Sequence, residues 1–83
     1  MHNNFGVIFM YVRIRNLRED KDLSQKHMAE VLSIAQTTYS DYELGKLNIP
    51  IPILIKLAKF HKTSIDYLIG ITDEKKAYPK NQH

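Results

Sequence analysis

The sequence predicts an all-α domain made of five short helices. Apolar residues repeat with helical spacing in five segments between residues 11 and 70, and the alternation typical of strands is not sustained there. Serines suited to cap a helix start, and glycines suited to end one, fall between these segments. A chain of 83 residues has room for one core. We therefore expect one domain over residues 11–72, an N-terminal arm over 1–10 and a polar C-terminal tail over 73–83.

The first two helices are predicted from apolar spacing and one cap. The first covers residues 11–21, where the spacing is helical for Val12, Ile14 and Leu17. Ser24 is a favourable N-cap for the second helix, which ends at Ser33. Its apolar stripe consists of Met28, Ala29, Val31 and Leu32.

The third helix is predicted from Gln36 to Leu44. Gly45 follows it at a position that favours the left-handed backbone conformation. Its inner face is expected to contain Thr38, Tyr39 and Tyr42. Two tyrosines could also stack on single-stranded nucleic acid, but we assign them to the core because they share this inner face.

The last two helices follow the loop that Pro50 closes. Pro52 falls in the first turn of the fourth helix, where its missing N–H does no harm. That helix is apolar around most of its surface, so we expect it to be the most buried. Ser64 caps the fifth helix, and Gly70 ends it.

Composition limits the possible functions. The chain has no cysteine, which excludes disulfides and thiolate metal sites, and its net charge of +3 is compatible with a nucleic-acid partner. Residues 5–12 are apolar but too short for a membrane helix, and they lack the features of a signal peptide. They could pack on the domain or on a second copy, or Met10 could be an alternative start.

The sequence contains no recognisable enzyme motif. It lacks a glycine-rich phosphate loop, and its serines and histidines occur in no known nucleophile pattern. His27 and His61 are expected to be solvated and have no apparent metal partner. We therefore expect a cytoplasmic protein that is not an enzyme and that needs no cofactor or metal.

The second and third predicted helices are joined by about three residues, and so short a connection makes them cross steeply. Ala29 is small enough to allow close approach of the two backbones, and apolar contacts that can close the angle come from Leu32, Ile34 and Tyr39. This arrangement is a helix-turn-helix, whose second helix can enter the major groove of DNA.

Four stretches together resemble a known family. They are "IRNLREDKDLSQKHMAEVL", "TTYSDYELGK", "IPIPILIKLAKF" and "SIDYLIGITD". The sequence from Ile14 to Asp73 resembles the Cro/CI-type, or XRE-type, helix-turn-helix domain. The resemblance implies a lambda-repressor-like fold and a double-stranded-DNA partner.

The resemblance also implies roles for individual residues. Early exposed residues of the third helix would read bases: Gln36, Thr37, Ser40 and Asp41. Phosphate contacts would come from the start of the second helix and from the loop after the third: Ser24, Gln25, Lys26, Lys46 and Asn48. Arg18 and Glu43 match a structural salt bridge found in part of the family. Further attraction to DNA could come from Arg13 or Arg15.

The sequence departs from the family pattern at several positions. Asp22 and Ser33 replace glycines, and Leu44 replaces a frequent asparagine. Ala35 replaces a serine or threonine N-cap, which costs roughly 0.5–2 kcal/mol. Asp41 replaces a basic or amide residue. It could accept a hydrogen bond from cytosine N4, or lie at the groove edge and repel phosphate.

These observations predict a sequence-specific transcriptional regulator, most simply a repressor that binds a pseudo-palindrome as a homodimer. The dimer interface is expected near the last helix, at Tyr67, Leu68 and Ile71, with Phe5–Tyr11 as the second candidate. We expect no small-molecule effector on this chain. Two alternatives stay open: a protein-interaction module that has lost DNA binding, and an autoregulator of the antitoxin or controller type.

Overall fold

A computed structural model describes residues 4–77, with side chains from residue 11 onward. Its five helices are α1 (Asn4–Asp20), α2 (Gln25–Leu32), α3 (Gln36–Glu43), α4 (Ile51–His61) and α5 (Ile65–Leu68). The described part of the chain contains no strand. The predicted all-α fold of five helices is confirmed.

Helix α1 begins earlier than predicted. It starts at Asn4, within the segment assigned to an arm over residues 1–10. Tyr11, Ile14 and Leu17 anchor the helix in the core, and no proline interrupts the apolar residues that precede them. The packing predicted for the arm itself concerns residues 1–3 and side chains before residue 11, which lie outside the described part.

The core lies where the five helices meet. Its fully buried side chains come from every helix: Ile14, Met28, Leu32, Tyr39, Leu57 and Leu68. Tyr39 and Tyr42 are 0% and 5% exposed, so the assignment of both tyrosines to the core is confirmed.

The helix ends follow the caps read from the sequence. The hydroxyl of Ser24 accepts a hydrogen bond from the His27 N–H at 2.9 Å, and that of Ser64 accepts one from the Tyr67 N–H at 3.0 Å. Gly45 and Gly70 adopt positive φ values of 75° and 87°. Ser33, which replaces the family's glycine, adopts a φ of 59°.

Helix α4, which the sequence predicts to be the most buried helix, exposes part of its apolar surface. Leu54 and Leu57 face the core, but Ile51 is 62% exposed and Ile55 is 41% exposed. Helices α5 and α2 make the main contacts with α4, and the side of α4 that carries Ile51 and Ile55 stays exposed.

His61 is also placed differently from the prediction of a solvated side chain. It is 5% exposed, and neither ring nitrogen has a hydrogen-bond partner within the described structure. His61 follows Leu54, Leu57 and Ala58 at helical spacing, so it continues the buried face of α4.

The exposure of residues in the last helix and the segment after it bears on the expected dimer interface. Leu68 is 0% exposed, so its side chain cannot contact a second subunit, and this part of the prediction is wrong. Tyr11, at the edge of the second candidate surface, is likewise buried. Ile71 is 69% exposed, and Tyr67 is half-buried. Of the predicted interface residues, Tyr67 and Ile71 keep an accessible surface.

Candidate nucleic-acid interface

Helices α2 and α3 form a helix-turn-helix. Residues 33–35 join them, and the backbone reverses there because Ser33 is left-handed. Ala29 and Leu32 are buried on the α2 side of the junction, and Tyr39 is buried on the α3 side. Ile34 packs against the same core while half-buried. These are the residues from which the sequence predicted the steep crossing.

Four predicted base-reading residues share one side of α3. Gln36 and Thr37 are exposed, while Ser40 and Asp41 are half-buried one turn later. Their spacing places them on one helical face, opposite the buried tyrosines. The accessible part of this face is therefore mainly uncharged and able to form hydrogen bonds.

A polar network fixes α3 to α1 and α2. The Arg18 guanidinium donates through Nε to Glu43 Oε2 at 2.7 Å and through a terminal nitrogen to Oε1 at 3.1 Å. It also donates to the Leu23 carbonyl at 2.8 Å. Gln25 Nε2 donates to Glu43 Oε1 at 3.0 Å. The last residue of α3 thus binds the first residue of α2.

The surroundings of Glu43 keep it ionised although it is buried. Burial alone would raise the pKa of its carboxyl group, but the hydrogen bonds from Arg18 and Gln25 outweigh that effect, and the pKa is lowered. The hydrogen bond to Glu43 in turn raises the pKa of Arg18. Glu43 is therefore neutralised inside the scaffold and presents no charge on the α3 surface.

The start of α2 places three predicted phosphate-contacting residues together. Ser24 and Lys26 are exposed, and Gln25 is half-buried because its amide group binds Glu43. Ser24 uses its oxygen as an acceptor for the cap, which leaves its O–H free to donate. A helix start of this kind favours an anion through its N–H groups and its dipole.

The start of α3 has no side-chain cap. Ala35 occupies the N-cap position with φ −68° and ψ 147° and offers no acceptor. The first N–H groups of α3 are therefore available to an external acceptor such as a phosphate oxygen.

The loop after α3 carries the other two predicted phosphate-contacting residues. Lys46 is exposed, and its N–H donates to the Asp41 carbonyl at 2.9 Å, which fixes the backbone of the loop. Asn48 is exposed, and its Oδ1 accepts from the Tyr11 hydroxyl at 3.5 Å. That contact leaves the Asn48 amide N–H groups, which are the donors that phosphate requires.

The two arginines proposed as further sources of attraction are engaged elsewhere. Arg13 donates to the Tyr67 carbonyl at 3.0 Å, to the Thr72 carbonyl, and to the Asp73 carboxylate at 2.8 Å. Its guanidinium also lies 4.2 Å from the Tyr67 ring centroid. Arg13 therefore holds the C-terminal segment on α1 and is unsuited to the DNA role expected of it. Arg15 is exposed and pairs with Glu19 at 3.1 Å on the surface of α1.

Sequence reasoning missed two of these contacts. The family resemblance indicated a phosphate contact for Gln25, whereas its hydrogen bond to Glu43 depends on the angle between α2 and α3. The engagement of Arg13 depends on contacts 54 and 59 residues away along the chain, which local spacing cannot reveal.

Residues 4–77 lack the features of two other kinds of site. No cluster of three or more histidine, cysteine or acidic side chains there has the geometry to hold a metal ion. No helix in that range is both long enough and apolar enough to cross a membrane.

Comparison with known proteins identifies relatives of this chain. A family model described as helix-turn-helix matches residues 14–68. The chain is 36% identical over 62 residues to the uncharacterized HTH-type transcriptional regulator YobD of Bacillus subtilis (strain 168), covering 75% of this chain and 55% of YobD. The HTH-type transcriptional regulator AnsR of the same organism is 34% identical over 68 residues, covering 82% of this chain and 59% of AnsR.

A third relative comes from a phage. The cryptic phage CTXphi transcriptional repressor RstR of Vibrio cholerae is 35% identical over 58 residues, covering 70% of this chain and 52% of RstR. The chain thus spans little more than half the length of these relatives. No solved structure matches it. The helix-turn-helix geometry and these matches show that the chain belongs to the Cro/CI-type (XRE) helix-turn-helix family of transcriptional regulators.

Proposed function

We propose that this chain binds double-stranded DNA in a sequence-specific way and regulates transcription as a repressor. The observation that carries the proposal is the sorting of charge on α3. Glu43 is buried against Arg18 in the last turn of α3, whereas uncharged Gln36 and Thr37 are exposed in its first turn. A helix with two acidic residues therefore presents a surface suited to base edges.

Each exposed residue of that surface matches a known kind of base contact. The carboxamide of Gln36 both donates and accepts, which suits N6 and N7 of adenine. Thr37 offers a hydroxyl and a methyl group, and the methyl can contact thymine. Ser40 and Asp41 extend the same face by one turn.

The phosphate contacts would flank this face on both sides. Ser24, Gln25 and Lys26 are at the start of α2, and Lys46 and Asn48 are in the loop after α3. Contacts of this type set the position of the reading helix and supply affinity that does not depend on sequence.

The repressor would act as a homodimer on a pseudo-palindromic operator. One short helix reads only a few base pairs, so two copies on half-sites ~34 Å apart would supply the required specificity. The exposed Ile71 and the half-buried Tyr67 support an interface next to α5. The name of the phage relative RstR, a transcriptional repressor, supports the direction of regulation.

Selection of bound sequences from random duplexes tests this function. We expect an enriched site with two related half-sites whose centres are about one helical turn apart. Its affinity should fall with salt along a log–log slope of about −0.9 per neutralised phosphate. No enriched site, together with no binding at low salt, would instead favour an interaction module that has lost DNA binding.

Two substitutions distinguish residues that recognise bases from residues that bind phosphates. Gln36→Ala should weaken the selected site by roughly 1–3 kcal/mol at one base pair and relax preference there. Lys46→Ala should weaken binding to all duplexes alike and reduce the slope of log affinity against log salt by about the contribution of one phosphate. Both variants are compared with the parent by gel shift on the selected duplex and on a shuffled one. If Gln36→Ala preferred the selected duplex as strongly as the parent does, the assignment of the base-reading face would be wrong.

A further inference from the structure

A groove lies between α4, α5 and the C-terminal segment, away from the helix-turn-helix. Its volume is about 720 Å³, and it is open on one side. Its apolar lining comes from Ile55, Ala58, Ile65 and Ala77. The exposed face of Ile51 continues this apolar surface toward the start of α4.

Apart from Lys59 and Lys62, the described side chains that line the groove offer no free polar group to orient a small molecule. Small-molecule sites combine an apolar lining with a few polar groups that fix orientation. Here the one lining hydroxyl, that of Thr63, already donates to the Lys75 carbonyl. The surface therefore suits an extended apolar face, such as one side of a helix.

The rim of the groove is positively charged. Lys59 and Lys62 belong to the lining, both are exposed, and neither is in an ion pair within the described structure. The charged residues of α4 are Lys56 and Lys59, and Asp66 is not part of the lining. A partner would therefore gain from placing acidic side chains beside its apolar face.

This charge pattern argues against a second copy of the chain as the occupant. A two-fold interface brings the same patch of two subunits together, so the positively charged rims of two copies would share one interface. Like charges placed opposite each other in an interface cost binding free energy.

The position of the groove argues against DNA. Lys59 lies eight residues beyond Ile51, which is about 12 Å along α4 from the loop that carries the predicted phosphate contacts. The side chains of Ile55, Ala58, Ile65 and Ala77 offer a phosphate backbone no hydrogen-bond donor.

We propose that this groove docks an acidic amphipathic helix of a partner protein. The apolar side of that helix would cover Ile55, Ala58 and Ile65, and its glutamates or aspartates would pair with Lys59 and Lys62. This is a helix-in-groove interaction whose specificity comes from the lysine rim.

Fluorescence anisotropy with two synthetic peptides tests the proposal on the full chain. Both peptides are amphipathic helices with leucines on one face, flanked by glutamates in one and by lysines in the other. We expect the glutamate peptide to bind at least about tenfold more tightly than the lysine peptide, with a difference that shrinks as salt rises. Equal binding of both peptides, or binding of neither, would overturn the proposal.

Three variants locate the binding surface. Ile55→Asn should lower the affinity for the glutamate peptide about tenfold, since it removes apolar contact area. Lys59→Gln should weaken it about threefold. Lys56→Gln is the matched control, because Lys56 is exposed on the same helix but does not line the groove. It should leave the affinity unchanged, and an effect as large as that of Lys59→Gln would contradict the assignment.

Three further measurements identify other occupants. Loss of self-association in Ile55→Asn by analytical ultracentrifugation would assign the groove to a second copy. Weaker DNA binding in Lys59→Gln would assign it to DNA. Peptide binding that appears only after deletion of residues 78–83 would assign it to the chain's own tail. Each of these results would overturn the proposal, and unchanged circular dichroism confirms that the variants fold.

Discussion

Two acidic residues of α3 have the same formal charge and opposite surroundings. Glu43 is 8% exposed and bonded to Arg18 and Gln25, so its charge is neutralised within the domain. Asp41 is half-buried on the other side of the helix, next to the proposed reading residues. Asp41 is therefore the acid of α3 whose charge DNA would meet.

Asp41→Asn should change the base preference of the protein at one position. A carboxylate can only accept, which suits cytosine N4, whereas asparagine also donates and suits adenine. We expect a shift of roughly 1–3 kcal/mol between these bases at a single base pair, measured by competition gel shifts with point-substituted duplexes. A uniform gain in affinity for all duplexes would mean that Asp41 only repels phosphate.

His61 should make the protein less stable in mildly acidic solution. Burial, with smaller effects of Lys21 and Lys75, lowers the pKa of His61 to about 4. Its unfolded value is about 6.5. The unfolded state therefore takes up a proton first, so the free energy of unfolding should fall from pH ~6.5 to pH ~4, by up to about 3 kcal/mol.

Urea unfolding of His61→Phe against the parent isolates this effect. The variant should lose the decline in that pH window, while His27→Gln, a change at an exposed histidine, should keep it. Acid unfolding linked to Glu43 comes at lower pH, since its lowered pKa means that its contribution to stability is lost only below the unfolded value of about 4.3. Parallel pH profiles for the parent and His61→Phe would refute the assignment.

Residue-level prediction succeeded where a family motif was present. The resemblance indicated the Arg18–Glu43 pair, and the apolar spacing indicated the buried Tyr39. The prediction that His61 is solvated was wrong, because its position on the helix, after Leu57 and Ala58, places it on the buried face of α4. The contacts of Arg13 could not be predicted, since they require the path of the chain after α5.

At the level of elements, α3 starts without a side-chain cap. Ser24 and Ser64 cap α2 and α5, whereas Ala35 cannot cap α3. Ala35→Ser should raise the free energy of unfolding by about 1 kcal/mol, because the backbone there is already extended as an N-cap requires. The melting temperature should rise by about 4–8 °C, measured by calorimetry.

Ser64→Ala is the matched control for this substitution. It removes an existing cap hydrogen bond to the Tyr67 N–H, so it should lower stability by about 1 kcal/mol. A destabilised Ala35→Ser protein would show that the start of α3 is held by other contacts.

The sequence predicted the helix ends from their caps, but it did not predict the start of α1. Serines and glycines mark α2, α3 and α5 because their chemistry acts locally. The segment before Tyr11 contains aromatic and branched residues and a glycine, which favour no single element. This segment is helical because it extends the helix that the core holds from Tyr11 onward. The exposed face of α4 could not be predicted either, because it depends on which helices pack against it.

At the scale of the whole molecule, α1 joins the other elements through two arginines. Arg13 binds the segment after α5, and Arg18 binds the α1–α2 connection and the end of α3. Contacts 25 to 60 residues apart in sequence are thereby held by side chains of one helix. The orientation of α3, the proposed reading helix, depends on the contacts of Arg18.

Removal of Arg18 should destabilise the fold more than removal of the whole pair. Arg18→Met leaves the Glu43 carboxylate buried without its main partner, which should cost about 3–5 kcal/mol. Combining it with Glu43→Met should recover part of that loss, because an apolar pair needs no desolvated charge. Urea unfolding of the two single variants and the double variant gives the coupling free energy, and additive losses would mean that the two side chains act independently.

The pH dependence of Arg18→Met gives a second, independent readout. Without the guanidinium, burial should raise the folded-state pKa of Glu43 above its unfolded value of about 4.3. The folded state then takes up a proton first, so stability of this variant relative to the double variant should rise as pH falls toward that value. The parent should show the opposite trend from Glu43, because its pKa is lowered. If Arg18→Met and the double variant gave the same profile, the charge of Glu43 would be solvated, and the end of α3 would be held by packing rather than by this ion pair.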